Sequence, residues 1–223
     1  TLSGAVLTGS IASGVVYQTL VRSPPSRTRM TIKTASTALL SAAAYLRSAP
    51  PLLVGALALG SLGDAFLSWD DDDDDGGNSF LFGLASFLAA HILYIILFFR
   101  SGLGANDVSS KIYVLLTHSR LRTWIAGALA GLVPGMIRQL WPKVGKGLRV
   151  PVVVYTLTIF VMANVALTVE SDKVVAGAVM FTASDSILAA GKFLVPRGSR
   201  FQGAMSHAVW VLYYGGQLLI ALG

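Results

Sequence analysis

An all-α, polytopic bundle of about eight membrane-crossing helices, forming one integral membrane unit over residues 1–223, is the fold class that this sequence predicts. Three observations predict it. Of the 223 residues, 54% are apolar and only 13% charged, against about 45–50% and about 25% in soluble domains. The mean hydropathy is +0.67. The charges are also bunched: of the eleven acids, six form the single run Asp70 to Asp75.

A helical span needs roughly 20 mostly apolar residues. Eight stretches qualify, at about 3–21, 31–47, 50–69, 79–99, 123–141, 149–169, 173–195 and 203–222. The second carries Lys33 and many small residues. The fifth contains Pro134 and Gly135, which predict a kink. Between the fourth and fifth, Ile112 to Leu116 is apolar but too short to cross, and is placed at the membrane interface. Of the seventeen lysines and arginines, eleven fall at one set of helix ends and six at the other. The positive-inside rule makes the richer side cytosolic and sends both termini away from it. The acidic run then lies in a cytosolic loop, read as a solvated segment, since consecutive acids point in different directions and build no cage for a cation.

The net charge of +6 does not imply nucleic acid, because the basic residues sit in short loops where topology puts them. No cysteine is present, which excludes disulfides, thiolate nucleophiles and Cys-based metal sites. No cleavable signal peptide is expected. A possible 4+4 parallel internal repeat aligns Leu62-Gly63-Asp64 with Ala183-Ser184-Asp185, and Leu93-Tyr94 with Tyr213-Tyr214, at offsets near 120. It would make Asp64 and Asp185, and likewise Tyr94 and Tyr214, pseudo-symmetric partners.

Asp64 and Asp185 carry the functional argument. Each lies inside an apolar stretch, where an acid costs about 2.5–3.5 kcal/mol on insertion scales. Other polar residues at span depth are His91 and Tyr94, which share a helix face, Tyr155, Thr158, Asn164, Ser184, Lys192, Tyr213, and His207, Tyr214 and Gln217, which fall near one face. Polar groups at that depth turn toward each other, so a single pocket is expected. Each also has a plain reading: the acids as interhelical ties, the tyrosines as packing, Lys33 and Lys192 as side chains reaching for headgroups. No GxSxG or HExxH motif is present, and His91, His118 and His207 have no ligand spacing, so no metal is expected. What remains is carboxylate chemistry, with one acid protonated and the other ionised. That division suits hydrolysis through an oxocarbenium-like state. It suits a proton-coupled transporter or a lipid-binding membrane protein equally well.

Taken in order, Leu62-Gly63-Asp64-x-x-Leu67, then Gly83-x(3)-Phe87-x(3)-His91-x-x-Tyr94, Tyr155, Gly177-Ala178-x-x-Phe181-x-x-Ser184-Asp185-x-x-Leu188, and Tyr214-x-x-Gln217 resemble the YhhN family of eight-span lysoplasmalogenases. Lys33 matches that family's lysine at the start of span two; the acidic loop looks like an insertion. The resemblance implies hydrolysis of the vinyl ether bond of lysoplasmalogens, with no cofactor. The products are a fatty aldehyde and glycerophosphoethanolamine or glycerophosphocholine. It implies a lysophospholipid substrate, a bilayer as the surrounding partner, and an endoplasmic reticulum or bacterial inner membrane location according to source. Asp185, the more central in its span, is expected as general acid and Asp64, nearer the cytosolic end, as the ionised partner that steadies the cation and activates water; the reverse division of roles fits the sequence too. His91, Tyr94, Tyr155, Ser184, Tyr214 and Gln217 are expected to orient water and glycerol hydroxyls, and Lys33 and Lys192 to hold phosphate.

Overall fold

The computed structural model describes residues 1–69, 78–196 and 198–223. The acidic run and Arg197 lie outside the described residues. Within them the chain is all helix, in nine α-helices and a 3-10 turn. These are α1 (Leu2–Leu20), α2 (Arg27–Leu46), α3 (Pro51–Trp69), α4 (Asn78–Ser101), α5 (Val108–Thr117), α6 (Arg120–Leu140), the turn (Lys146–Leu148), α7 (Arg149–Ala166), α8 (Asp172–Phe193) and α9 (Phe201–Ala221). The eight long helices coincide with the eight apolar stretches, and their ends differ by no more than four residues. Among the described residues, four are long and apolar enough to cross a membrane: α3, α4, α7 with the preceding turn, and α8. The short apolar patch is α5. Pro134 sits inside α6, which continues through it to Leu140.

Local sequence sets the helix starts. The hydroxyl of Ser26 accepts from the Arg29 amide at 3.2 Å, and the Asp107 carboxylate from the Ser110 amide at 2.9 Å, satisfying donors that a helix leaves open at its first turn. Pro51 opens α3, where its missing N–H has no intrahelical partner to lose. Between helices, small residues allow close approach and short hydroxyls join backbones. A Cβ on Gly177 would stand 2.6 Å from the Gly216 carbonyl, so α8 and α9 meet backbone to backbone. Ser61 donates to the Thr34 carbonyl at 3.0 Å and Ser41 to that of Val54 at 2.9 Å, tying α2 to α3.

The main extensive pairings are α1–α2, α2–α3, α3–α4 and α8–α9; α4 packs on α7, and α6 makes lighter contacts with α5, α7 and α8. The largest core cluster draws Leu40, Leu57, Tyr94, Phe98, Met162 and Phe181 from five of these helices. Two of the six basic residues counted on the poorer side turn out to be internal. Lys111 donates to the carbonyls of Gly102 and Leu103 at 2.6 and 3.1 Å, and Arg122 to those of Leu167 and Val169 at 3.1 and 2.5 Å. Both are buried, because helix ends leave carbonyls that only a nearby donor can satisfy. The supposed repeat partners have unlike surroundings: Tyr94 donates to the Gln217 side chain, whereas the Tyr214 hydroxyl shares a 2.7 Å hydrogen bond with Ser10.

Candidate active site

α2 presents Arg29, Lys33 and Thr37 at intervals of four, one above the other on a single helix face. That face meets α3 at Asp64. Lys33 Nζ stands 3.2 Å from Asp64 Oδ1, and the two side chains are 16% and 1% exposed. The other oxygen, Oδ2, accepts from Thr37 Oγ1 at 3.0 Å and from the Tyr213 hydroxyl at 2.8 Å. Three donors thus converge on one buried carboxylate, the condition under which an ionised acid is retained away from water.

Asp185 has different company. Its Oδ2 accepts from the Tyr155 hydroxyl at 2.8 Å, and His91 Nε2 stands 3.7 Å from the same oxygen. His91 Nδ1 lies 2.5 Å from the Phe87 carbonyl. A carbonyl can only accept, so Nδ1 carries the hydrogen, and in the neutral ring Nε2 is a lone pair. That nitrogen is buried with no hydrogen-bond partner among the described residues. No lysine or arginine pairs with Asp185 among the described residues. The two carboxyls therefore differ in kind: one has a counter-ion, the other a phenol and an imidazole lone pair.

Both line one cavity of about 400 Å³, within the usual range for ligand pockets. Lys33, Tyr155, Ser184 and Lys192 line it too. The Ser184 hydroxyl donates to the Val209 carbonyl at 2.9 Å, and Lys192 Nζ lies 4.2 Å from the centre of the Phe80 ring. His91 stands behind Asp185, with its ring edge-on to Tyr155 at 5.4 Å. Tyr94, Gln217 and Tyr214 do not reach the lining. Tyr94 and Gln217 bond each other in the core, and Tyr214 is turned to α1. These three, like His91, lie outside the lining, on the expected helices but on faces that packing claims.

Two residues of this site are not among the expected site residues: Thr37, and Tyr213, which the sequence offers only as one of the polar groups of the last span. Thr37 was accessible from helical spacing, being four residues beyond Lys33. Tyr213 was not, since Tyr213 and Tyr214 are adjacent and only packing tells which faces Asp64. Arg29 also lines the cavity, at its basic end. Apolar side chains complete the lining, among them Leu132, Val133 and Met136 from α6 and Ile159 from α7. Leu132 and Leu188 line the cavity and are 43% and 42% exposed. Among the described residues, no three His, Asp or Glu side chains gather as a metal ion would need.

A family model described as the YhhN family matches residues 28–223. Over 174 residues the chain is 30% identical to a protein of Mycobacterium tuberculosis named lysoplasmalogenase, covering 77% of this chain and 59% of that one. Over the same length it is 29% identical to a human protein named lysoplasmalogenase TMEM86B, covering 62% of it. The chain thus spans about three fifths of the length of the curated relatives it matches. No solved structure matches it.

Proposed function

This chain belongs to the YhhN family, and from that premise we propose that it hydrolyses the vinyl ether bond of lysoplasmalogens. The products would be a fatty aldehyde and glycerophosphoethanolamine or glycerophosphocholine. The observation that carries the reading is the unlike pair of carboxyls on one cavity: Asp64 with Lys33 as counter-ion, Asp185 without one.

A vinyl ether is opened by protonation on carbon. Asp185 donates its proton to the double-bond carbon that bears the alkyl chain, and the ether oxygen's electrons leave an oxocarbenium ion at the oxygen-bearing carbon, the one to which water then adds. His91 Nε2 supports this assignment, because a lone pair facing a second acceptor is tolerated only if a proton lies between them or the acceptor is neutral. Asp64, held ionised, offers negative charge to the cation. Water adds to the carbon and gives up its proton to the Asp185 carboxylate, restoring the acid. The hemiacetal then breaks its bond to glycerol: its hydroxyl proton is lost, the glycerol oxygen gains one, and the aldehyde is released. Both oxygens of Asp64 are already engaged by Lys33, Thr37 and Tyr213, which leaves Asp185 to take the proton of the attacking water. The water-activating role therefore passes from Asp64 to Asp185.

Detergent-purified protein given lysoplasmalogen should release free aldehyde. Asp185→Asn should lower the rate by about 10²–10⁴-fold, the usual worth of a positioned acid–base group, and Asp64→Asn should also impair it. Full activity in both variants at an unchanged thermal midpoint refutes the assignment. A protein that moves the lipid across vesicles without forming aldehyde is a carrier, and the hydrolase reading fails.

A further inference from the structure

Arg29, Lys33 and Lys192 line the cavity, and the proposed chemistry uses only the second. Lys33, the first candidate for a phosphate, is committed to Asp64. Arg29 lies one helical turn nearer the end of α2, about 6 Å along the axis at 1.5 Å per residue. Its Nη1 donates to the Ser23 carbonyl at 3.2 Å, and its other N–H groups bond nothing among the described residues. It lines the same cavity as Asp64 and Lys192. Its position runs against the local field. The first turn of α2 contains Arg27 and Arg29 and no acid, at the end where the helix dipole is already positive and cations are disfavoured. Asp64 offsets one charge, that of Lys33. An anion at the cavity's basic end would offset that of Arg29.

We propose that Arg29 binds the phosphate diester of the lysophospholipid headgroup, leaving Lys33 to hold Asp64. This rests on the hydrolase reading for the substrate's identity. The geometry fits a glycerol backbone: the ether at one end of glycerol lies between the carboxyls, and the phosphate at the other end is a turn away toward the basic end. A guanidinium suits the task because its fork matches two phosphate oxygens at once, which a lysine ammonium does not.

The test compares two substrates in phospholipid-free detergent micelles, lysoplasmalogen and the phosphate-free 1-alkenylglycerol, by aldehyde release. The wild-type protein should prefer the first. Arg29→Gln should reduce the ratio of kcat/KM values by about 10- to 100-fold, the worth of charge-assisted hydrogen bonds to one anion. Arg29→Lys should fall between, and Arg100→Gln, an exposed arginine on α4, should leave the ratio alone. An unchanged ratio in Arg29→Gln overturns the proposal, also where the variant loses activity toward both substrates equally in phosphatidylcholine vesicles, since Arg29 would then only anchor the protein to bilayer headgroups. If Arg29→Gln does not fold, the Arg29→Lys ratio decides. If wild-type protein releases no aldehyde from either substrate, the hydrolase reading fails separately. Arg29 is then judged by whether millimolar glycerophosphoethanolamine raises the thermal midpoint of the wild type and not of Arg29→Gln. No rise in the wild type overturns the assignment.

Discussion

Lys33 on α2 and Asp64 on α3 form an ion pair of 3.2 Å in which the carboxylate is almost fully enclosed. Removing one member of such a pair leaves an uncompensated buried charge, at a cost of about 3–5 kcal/mol. Lys33→Met should therefore lower the thermal midpoint sharply. Adding Asp64→Asn to that background should recover most of the stability while leaving the protein inactive. A double-mutant cycle on the midpoints measures this, and additive single effects would mean that the two side chains do not pair.

Tyr155 donates its hydroxyl to Asp185 at 2.8 Å. Tyr155→Phe keeps the ring and its edge-on contact with His91 but frees Asp185 Oδ2. Activity should fall about tenfold, while stability changes by about 1 kcal/mol, the usual net worth of one hydrogen bond. Parallel aldehyde and melting assays separate the two effects. A large stability loss at unchanged turnover would make Tyr155 a structural tie and no more.

Gly60 shows how close the packing comes behind the site. A Cβ there would lie 2.9 Å from Gln217 Nε2 and 3.4 Å from the Tyr213 hydroxyl, the same hydroxyl that donates to Asp64. Gly60→Ala should cost about 1–3 kcal/mol through overpacking and reduce turnover by shifting Tyr213. Gly127→Ala is the control, since a Cβ at Gly127 meets nothing within 4 Å and alanine favours the helix by about 1 kcal/mol.

Away from the bundle core, Asp107 caps α5. The Ser109 hydroxyl, the Ser110 amide and the Ser110 hydroxyl donate to it at 2.6, 2.9 and 2.7 Å, and they pull its pKa down to about 2. A depressed acid contributes stability above its unfolded pKa, about 3.9, and loses that contribution as pH falls through about 2. The cap is thus fully formed at neutral pH. Asp107→Ala should speed hydrogen exchange of the first amides of α5, and Asp107→Asn, which can still accept, should restore most of the protection. Equal exchange in all three proteins would exclude a capping role.

Much of the fold was legible because burial in lipid leaves a coarse trace: long apolar stretches with cations at their ends. Asp64 and Asp185 were legible for the converse reason, since an acid at that depth must have company. Which company was not legible. Lys33 could equally have faced a phosphate or an acid, and only the packing of α2 on α3 decides. Thr37 follows from spacing once Lys33 is placed. The adjacent pair Tyr213 and Tyr214 shows the limit, because neighbours on a helix point about 100° apart and sequence does not say which faces inward. Lys111 and Arg122 resemble loop cations in sequence, and they are buried because carbonyls at the ends of α4 and α7 happen to lie within their reach.

The mixed lining of the cavity bears on how the proposed products would part. On that reading an alkenyl chain with its headgroup at Arg29 would lie against Leu132, Leu188 and their apolar neighbours. Once the ether was cut, the fragments would differ in solubility. The aldehyde would partition into lipid and the phosphodiester into water, so reversal would require both to return from separate phases at once.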